Sequence, residues 1–516
     1  MDGSDIMDQA GSGWVDVAAF ADLREDGMIP VTVGGAPLVL VRDGEIVHAL
    51  GGKCPHKGAP MEQGTYCRDR SGTPVVVCPW HKAVFSTTGA LMEPPALDPL
   101  PRHDVRIEAG RVLVAENPAA PPVAPQVKAD ESVLVLGAGA AGVAGAAALR
   151  EFGFAGRITL VSDEPDAPYD RTALSKMVLG AKPEELKIPA LRPAEWYEAN
   201  RIERMTARIR SVDHMARRVT FESGETLSAD HLLLALGSVA RRPDFPGGDL
   251  EAVRVLRSAA DARAIVDLAG PDKSVVIIGS GFIAMETAAA LRKRGTGVTV
   301  VARDEAPMRA LLGREIGMRL RSLHEQNGVA YLAPAQVVSV EGADTLSVRL
   351  DDGFVLRADF VIAGLGAAPA TACLDPALRA EDGGVDVDEA MRVLPGVFAV
   401  GDIARVAHKG GRVRIEHWRV AQSQARIAAR AILGQEASSL PMPWFWTQQF
   451  GQKFEYLGWP RAWEGREPEI YDIDGAVSSF DFLAEVRTKD ETVGLIGSKQ
   501  ARRIGREAVN PSLVSE

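Results

Sequence analysis

The chain has 516 residues, of which 46% are apolar and 25% charged, a composition too polar for an integral membrane protein. Its net charge of -11, without any Lys/Arg-rich tract, argues against a nucleic-acid-binding surface, and four cysteines are too few for a disulfide framework. The first residues lack the positive charge of a signal peptide, and no apolar run approaches the length of a membrane span. We therefore expect a cytoplasmic protein of about three or four domains.

The first 116 residues are predicted to be all-β. Residues 37–50, PLVLVRDGEIVHAL, alternate apolar and polar side chains on both sides of an Asp-Gly turn, and residues 105–114 repeat the pattern. Residues 117–130 then carry four prolines and no apolar periodicity, which indicates an extended linker. The sequence thus predicts a β domain over residues 1–116 that is separated from the remainder of the chain.

Two short motifs in this β domain, KCPHKGAP and CPWHKAVF, suggest a metal site. They place Cys54 and His56 in C-x-H spacing, and Cys78 and His81 in C-x-x-H spacing. A structural zinc is chemically allowed, but zinc fingers usually pair Cys with Cys and His with His. A chance cluster would leave two Cys-Pro loops without a purpose. A Rieske [2Fe-2S] centre fits best, because two cysteines hold one iron and two histidines hold the other.

A first glycine-rich loop follows residue 131, where short apolar strands begin to alternate with Ala-rich helical stretches. The segment SVLVLGAGAAGVAGAAALREFG sets Gly137, Gly139 and Gly142 in G-x-G-x-x-G spacing between a strand and a helix. This context favours a dinucleotide pyrophosphate held at a helix N-terminus. The next strand ends at Asp163, about twenty residues later, where the fold needs an acid for a ribose hydroxyl. Two loop residues, Ala140 and Ala141, are further candidate contacts.

A second loop, in KSVVIIGSGFIAMETAAALRKRG, repeats the pattern, so the sequence predicts two nucleotide sites. The candidate binding residues of this loop are Gly279, Gly281, Phe282, Ile283 and Ala284.

The end of the following strand leaves the nicotinamide cofactor open. Ala302 occupies the position where an acid would bind the adenosine ribose of NADH, and Arg303 follows it. An arginine there can hold the 2′-phosphate of NADPH. Alternatively, Arg303 faces solvent and a nearby acid such as Asp304 binds the ribose.

Five further stretches narrow the class of protein. On them the sequence resembles flavoprotein reductases of the apoptosis-inducing-factor and putidaredoxin-reductase type, and the order of domains resembles their Rieske-fused relatives. The resemblance implies three redox groups, namely FAD, NADH or NADPH, and a [2Fe-2S] cluster. The stretches are PYDRTALSK (168–176), LLLALGSVARR (232–242), GVFAVGDIAR (396–405), IEHW (415–418) and PWFWTQQF (443–450).

The resemblance also implies roles for individual residues. Asp402 is expected to hydrogen-bond the FAD ribityl chain, while Arg241 and Lys176 approach the pyrophosphate and the isoalloxazine. Glu286 is expected near the nicotinamide, where it could pair with Lys176, and we predict these two as the catalytic residues. A cation near the flavin favours the anionic reduced ring. Further expected cofactor contacts are Ile209, Gly366, Gly401, His417 and Trp418, of which Trp418 is placed beside the flavin ring and His417 in the flavin pocket.

The predicted fold is therefore multidomain: an all-β Rieske domain, an α/β reductase with two dinucleotide-binding domains, and a C-terminal α+β domain. The aromatic, strand-like segment after residue 435 marks the last of these. The predicted bounds are FAD-binding 131–255 and 372–438, NAD(P)H-binding 256–371, and C-terminal interface domain 439–516.

The path of the electrons follows from a missing feature. No close cysteine pair occurs near residues 131–180, so the dithiol of a disulfide reductase is absent from the sequence there. We therefore predict an NAD(P)H oxidoreductase that passes electrons through FAD to the fused cluster, and on to an oxygenase, a ferredoxin or a cytochrome P450. Because the remaining histidines are scattered singly, oxygenase chemistry in this chain is disfavoured. The alternative is a slowly turning-over redox sensor or oxidase, whose NAD(P)H-bound state changes its dimerisation; a homodimer is compatible with either function.

Overall fold

The computed structural model separates into two compact units, which are described one at a time. The first comprises residues 1–124 with residues 501–512, and the second comprises residues 125–500 with residues 513–516. The division after Ala124 falls inside the predicted linker. The structure describes residues 13–436, 438–459, 469–476, 479–488 and 491–514.

The first unit contains two antiparallel sheets, as the alternating pattern predicts. Its six-stranded sheet has the order β1-β10-β9-β4-β3-β2, and its four-stranded sheet the order β5-β6-β7-β8. Asp43 pairs with Ile46 across the predicted Asp-Gly turn, where Gly44 has φ +61°, a conformation that glycine adopts without strain. The strands are β1 (Trp14–Ala19), β2 (Met28–Val33), β3 (Ala36–Asp43), β4 (Ile46–Gly51), β5 (Thr65–Arg68), β6 (Pro74–Val77), β7 (Val84–Ser86), β8 (Leu91–Glu93), β9 (Arg102–Glu108) and β10 (Arg111–Pro118).

A C-terminal helix, Ala501–Val509, belongs to this first unit. Its residue Val509 packs with Val75 and its β-sheet neighbours, and the Thr65 hydroxyl donates to the Arg502 carbonyl at 3.1 Å. The sequence predicts one C-terminal domain through residue 516, and this part of that prediction differs from the structure. An amphipathic helix signals only that it has an apolar face, whereas the sheet that covers this face lies more than 400 positions earlier.

The second unit contains two parallel sheets, each with a strand, a glycine loop and a helix at its centre. Their orders are β13-β12-β11-β17-β30-β29, with β29 antiparallel, and β19-β26-β20-β21-β22. Apolar, β-branched runs such as Ser132–Leu136 suit these strands because helices cover both faces of a parallel sheet. Smaller sheets are formed by β14–β16, β18 with β27, β23–β25, and β28 with β31 and β32.

The strands up to the end of this α/β part are β11 (Ser132–Leu136), β12 (Arg157–Ser162), β13 (Ile202–Thr206), β14 (Ile209–Asp213), β15 (Arg218–Phe221), β16 (Thr226–Ser228), β17 (His231–Leu234), β18 (Ser238–Ala240), β19 (Val253–Arg254), β20 (Ser274–Ile278), β21 (Gly297–Val301), β22 (Val329–Leu332), β23 (Val337–Glu341), β24 (Leu346–Leu350), β25 (Val355–Ala358), β26 (Phe360–Ala363), β27 (Ala367–Pro369), β28 (Val385–Asp386), β29 (Arg392–Leu394), β30 (Val397–Ala399), β31 (Ala404–His408) and β32 (Gly411–Arg414). The helices are α1 (Ala140–Glu151), α2 (Ala194–Ala199), α3 (Ala259–Leu268), α4 (Phe282–Lys293), α5 (Arg309–Gln326) and α6 (Trp418–Ile432), with a π-helical turn at Leu174–Val178.

The second unit ends in a five-stranded antiparallel sheet with the order β33-β34-β37-β36-β35. Its strands are β33 (Trp444–Gln449), β34 (Gln452–Gly458), β35 (Glu469–Ala476), β36 (Asp481–Thr488) and β37 (Glu491–Ser498). The helix Ala501–Val509, which lies within the predicted C-terminal domain, belongs to the first unit. The part of that domain in the second unit is therefore this β-sheet. In the described part of the chain no helix is both long and apolar enough to cross a membrane.

Candidate redox sites

The two Cys-His loops of the first unit share one backbone pattern. The Cys54 amide donates to the Ala59 carbonyl, five residues on, at 2.8 Å. The Cys78 amide donates in the same way to the Ala83 carbonyl, also at 2.8 Å. Each loop is thereby closed on itself, and each presents its cysteine from the same place in a tight turn.

The residue four positions after each cysteine completes the turn in a left-handed conformation. Gly58 has φ +72° and Lys82 has φ +59°, and their amides donate to the carbonyls of Cys54 and Cys78. Glycine adopts this conformation readily, whereas a lysine there is uncommon. The Lys82 side chain is buried, and its ammonium donates to the Pro79 carbonyl at 3.0 Å. A cation therefore lies inside the second loop, near the Cys78 thiol.

The four predicted ligands come together in two pairs. Cys54 and Cys78 are buried and hydrogen-bonded to each other. That bond and burial raise the pKa of Cys54, and accepting the bond lowers the pKa of Cys78 to about 7. The rings of His56 and His81 lie 4.8 Å apart, centroid to centroid, at 79°.

This pairing of two thiols and two imidazoles fits a Rieske [2Fe-2S] cluster, in which each iron takes two protein ligands. Within the described residues, no group of three or more His, Cys, Asp or Glu side chains is arranged to hold a single metal ion. The two histidines are half-buried and the cysteines fully buried. Trp80 beside His81 is 43% exposed, so the imidazole side of the site is the side nearer to solvent.

The first glycine loop of the second unit has the geometry that a pyrophosphate requires. Gly137 has φ +112°, and a Cβ there would lie 2.2 Å from the Ala235 carbonyl oxygen. A Cβ at Gly142 would lie 1.8 Å from the Gly137 oxygen. Only glycine fits at either position. The α1 helix starts directly after Gly139 and has no acidic residue in its first turn, so its N-terminus is free of a competing carboxylate.

The acid predicted for the ribose follows the end of β12. Asp163 is exposed there, while its neighbour Glu164 accepts hydrogen bonds from the Tyr169 hydroxyl, at 2.5 Å, and from Arg171. Glu164 is thus engaged in structure, and Asp163 stays the predicted ribose ligand. Arg171 also lies beside the phosphate loop, since a Cβ at Gly139 would lie 4.0 Å from its Nε. It is a candidate phosphate contact that the motif did not single out.

The Gly-Asp pair of the GVFAVGDIAR stretch lies next to this loop. A Cβ at Gly401 would lie 3.4 Å from the Cβ of Ala141 in α1. Asp402 accepts hydrogen bonds from the Ser238 hydroxyl at 2.8 Å and from Arg257 at 3.3 Å. These two donors hold its carboxylate beside the nucleotide loop, where the ribityl role is predicted.

The second glycine loop repeats the first between β20 and α4. Gly279 has φ +101°, and a Cβ there would lie 2.4 Å from the Gly364 carbonyl oxygen. Ala284, at the third motif position, is buried against Gly364, whose own Cβ would approach it to 2.8 Å. In the first loop the glycine that allows close packing is Gly142 on the helix, whereas here it is Gly364, just after strand β26. The strand, turn and helix required for a second nucleotide are present.

The residues after β21, which are expected to set the preference for NADH or NADPH, are compatible with either cofactor. Ala302 is buried, and Arg303 and Asp304 are exposed. The neighbouring Asp304 pairs with Arg309, at 3.9 Å. Arg303 itself has no ion pair among the described residues. Arg303 is therefore available to a ligand phosphate.

The two predicted catalytic residues are in contact. Lys176 Nζ donates to Glu286 Oε2 at 2.7 Å, from the π-helical turn to α4. The same oxygen accepts from Ser175 at 2.5 Å, and Oε1 accepts from Thr447 at 2.7 Å. Lys176 Nζ also lies 4.9 Å from the ring centroid of Trp446. The carboxylate thus accepts from three donors, and the ammonium is held between an anion and an aromatic face.

An aromatic cluster adjoins the nicotinamide loop. The ring of Phe445 lies 4.8 Å from Phe282, which begins α4, and 4.6 Å from His417. Burial lowers the pKa of His417 to about 4, so its ring is neutral at pH 7. Phe282 and His417, predicted separately as contacts of the two cofactors, are therefore joined by a residue of the final sheet.

The structure shows where the other predicted cofactor contacts lie, but not whether they bind a cofactor. Arg241 is exposed, and its Nε donates to the Ala367 carbonyl at 3.0 Å rather than toward the glycine loop. Trp418 is half-buried at the start of α6. Ala140 begins α1, Ile209 begins β14, Ile283 is 46% exposed on α4, and Gly366 has φ +84° beyond β26. These remain predictions.

Sequence patterns missed several partners of the predicted residues. Thr447 lies in a stretch that was singled out, but only its contact with Glu286 reveals a role. Ser238 also lies in one of the stretches that carry the resemblance, but its contact with Asp402 could not be read from that stretch, and Arg257 belongs to no motif.

Two family models cover the chain. The one described as Pyridine nucleotide-disulphide oxidoreductase matches residues 131–425, and the one described as Rieske [2Fe-2S] domain matches residues 13–104. The chain belongs to the pyridine nucleotide-disulphide oxidoreductase family. FAD and NAD(P)H, with the [2Fe-2S] cluster of the Rieske domain, are its cofactors. None of its four cysteines, all in the described part of the chain, forms a disulfide. Cys67 and Cys373 are half-buried, and burial raises the pKa of both thiols.

Similar proteins confirm the predicted resemblance. Apoptosis-inducing factor 3 from Homo sapiens is 36% identical over 497 residues, which cover 92% of this chain and 80% of that protein. The benzene 1,2-dioxygenase system ferredoxin–NAD(+) reductase subunit from Pseudomonas putida is 36% identical over 330 residues, or 63% of this chain and 80% of that subunit. The covalent putidaredoxin reductase–putidaredoxin complex matches with a TM-score of 0.66 and 27% identity, covering 74% of this chain and 94% of that one.

Proposed function

We propose that this protein oxidises NAD(P)H and delivers the electrons, through FAD and its own Rieske cluster, to an external acceptor protein. The observation that carries the proposal is that one chain contains both a paired set of two cysteines and two histidines and, separately, two dinucleotide-binding loops. A flavoprotein of this family that lacks a dithiol needs another exit for electrons, and the fused cluster supplies it.

The residues of the chain divide the work. The glycine loops before α1 and α4 hold the two pyrophosphates, and Asp402 lies ready for the ribityl hydroxyls. Glu286 holds the Lys176 ammonium in place beside the proposed flavin pocket. Bound FAD would supply the two-electron acceptance of hydride and the one-electron release that a [2Fe-2S] cluster requires. The charge of Lys176 stabilises the negative charge that reduction brings into the pocket.

The acceptor is proposed to dock at the imidazole side of the cluster. His56 and His81 are nearer to solvent than the cysteines, and Trp80 is exposed beside them. Similarity to a ferredoxin–NAD(+) reductase of a dioxygenase system and to putidaredoxin reductase supports a ferredoxin or an oxygenase as the acceptor, and a cytochrome P450 is a further candidate. We place the protein in the cytoplasm, where free thiols such as those of this chain are kept reduced.

A redox sensor is the second candidate, and the 36% identity to apoptosis-inducing factor 3 over 92% of the chain favours it. Such a protein would hold the reduced flavin for a long time and change its dimerisation or partner contacts. The two functions differ in turnover, because a reductase must empty its flavin rapidly into the cluster.

Cys78→Ser tests the electron path. Removing one thiol should abolish the cluster and the reduction of cytochrome c, while ferricyanide, which accepts electrons directly from the flavin, should still be reduced by NAD(P)H. Cys67→Ser is the matched control, because Cys67 is a free thiol in the same unit outside both loops. Survival of both activities in Cys78→Ser would mean that the cluster is not on the path.

A further inference from the structure

A line of hydrogen bonds crosses the second unit and ends on the Glu286 carboxylate. His324 Nε2, on α5, lies 2.8 Å from Gln449 Oε1. Gln449 Nε2 donates to Thr447 Oγ1 at 3.1 Å, and Thr447 Oγ1 donates to Glu286 Oε1 at 2.7 Å. All four side chains are buried, none more than 5% exposed.

The direction of these bonds is set by chemistry. Because Gln449 accepts with Oε1, the Nε2 of His324 must carry the proton. Burial lowers the pKa of His324 to about 4, which keeps the ring neutral at pH 7. Its other nitrogen, Nδ1, is buried with no hydrogen-bond partner in the described part of the chain, as suits an unprotonated nitrogen. Every donor in the line therefore points toward the carboxylate.

The line meets the ion pair at its far end. Glu286 Oε2 receives Lys176 Nζ at 2.7 Å and Ser175 Oγ at 2.5 Å, so Thr447 is the only donor on Oε1 among the described residues. The Thr447 hydroxyl accepts from Gln449 and donates to Glu286. The bond from Gln449 therefore fixes the direction in which the hydroxyl donates. Removing it would leave one carboxylate oxygen buried without a donor, and such a loss usually costs more than the bond itself contributes.

The participants come from three separate parts of the second unit. His324 lies on α5, which follows the nicotinamide strand β21, while Gln449 and Thr447 lie on β33 of the final sheet. Glu286 lies on α4, directly after the second glycine loop. A buried polar line between helices and sheet could serve stability alone. This line differs from a purely structural one because it ends on Glu286, the carboxylate that pairs with the Lys176 ammonium among the described residues.

We propose that Thr447, Gln449 and His324 are positioning residues, which hold the Glu286 carboxylate in place and through it the Lys176 ammonium beside the flavin pocket. The inference rests on the proposed function, because the position of Lys176 matters for catalysis only if this pocket accepts hydride. Loss of the Thr447 donor leaves Glu286 to turn toward Lys176 and neutralise its charge more fully. The ammonium then favours the reduced flavin less.

Thr447→Val, which removes the hydroxyl and keeps the shape, tests the proposal in the full-length holoprotein. The limiting rate constant of flavin reduction at saturating NAD(P)H should fall about tenfold, the effect of one lost charge-assisted hydrogen bond, with the Kd for NAD(P)H unchanged. The flavin midpoint potential, measured by dye-equilibrated reduction with dithionite, should become more negative. Thr447→Ser should restore both quantities, since it returns the hydroxyl.

Thr287→Val is the matched control. Thr287 follows Glu286 on α4, is fully buried, and its hydroxyl has no partner in the described part of the chain, so its loss should change neither quantity. Two results would overturn the proposal: an unchanged potential in Thr447→Val, or equal changes in the Val and Ser variants. If NAD(P)H does not reduce the wild-type flavin at all, the proposed function fails, while the dithionite titration still decides the role of Thr447.

Discussion

Lys176 Nζ lies 2.7 Å from Glu286 Oε2, although the two residues are 110 positions apart in the chain. The carboxylate is 5% exposed and the lysine side chain 20% exposed. Lys176 lies in the π-helical turn Leu174–Val178, and Glu286 lies on α4, directly after the second glycine loop. The contact therefore links the turn at Leu174–Val178 to α4, which follows the second glycine loop, and we predict that hydride passes between the two cofactors near this pair.

Breaking this pair on one side should be costly. Lys176→Met leaves the buried Glu286 carboxylate with its two hydroxyl donors only, and we expect a loss of about 3 kcal/mol in the free energy of unfolding of the reductase. The double variant Lys176→Met/Glu286→Gln removes both charges and should recover much of that loss. Urea unfolding followed by flavin release measures both. Strictly additive losses would show that the two charges are not coupled.

Arg303 tests the preference for the nicotinamide cofactor. The side chain is exposed and has no ion pair among the described residues, so it is available to a 2′-phosphate. Arg303→Ala should lower kcat/KM for NADPH about tenfold or more, the usual effect of one lost bond to a charged group, and leave NADH unaffected. Arg314→Ala, a more distant exposed arginine on α5, is the control. Equal use of NADPH before and after the change would favour ribose binding by a nearby acid.

The C-terminal helix should stabilise the Rieske unit. Val509 is 6% exposed against Val75, Val77 and Val84, and Val509→Asp places an unpaired carboxylate in that apolar contact. We expect the first unit to lose about 2 kcal/mol or more, seen as loss of cluster absorbance at a lower temperature. Reduction of ferricyanide by NAD(P)H at the flavin should be unaffected. An unchanged melting profile of the cluster would show that the helix contributes nothing to this unit.

His324 predicts a pH dependence of stability. Its pKa is about 4 when folded, against 6.5 for an ordinary histidine, so between these values the unfolded chain binds the extra proton. Stability is therefore complete above pH 6.5 and falls as the pH drops toward 4, by up to about 3 kcal/mol from this residue. His324→Gln, which keeps a donor but cannot titrate, should flatten the profile of Tm against pH over this range. A profile identical to the wild type would contradict this assignment.

Most of what could be predicted about the fold class and the cofactors came from local sequence motifs. Gly137 and Gly279 could be assigned because a strand, a left-handed turn and a helix must follow one another over a few residues. The Cys-His loops were equally readable, since ligand spacing is a property of the loop itself. Short-range patterns thus indicated a Rieske domain and two nucleotide-binding loops, whereas the strand order of the sheets was not predicted.

Contacts between distant elements could not be predicted in the same way. The helix at Ala501–Val509 shows an apolar face but no sign that its partner is the sheet around Val75. Thr447, Gln449 and His324 look like ordinary polar residues in a strand and a helix, and only folding brings them into line with Glu286. A hydrogen-bonded line of buried side chains has no spacing rule, because its members sit on separate elements.

Anaerobic stopped-flow mixing of the oxidised holoprotein with NAD(P)H tests the central claim most directly, with flavin and cluster absorbance followed together. We predict that the flavin is reduced first and that the cluster is then reduced within a single turnover, followed by quick reoxidation when an acceptor protein is added. A long-lived reduced flavin in a charge-transfer complex beside an oxidised cluster, with negligible turnover, would contradict the electron path and favour the redox sensor.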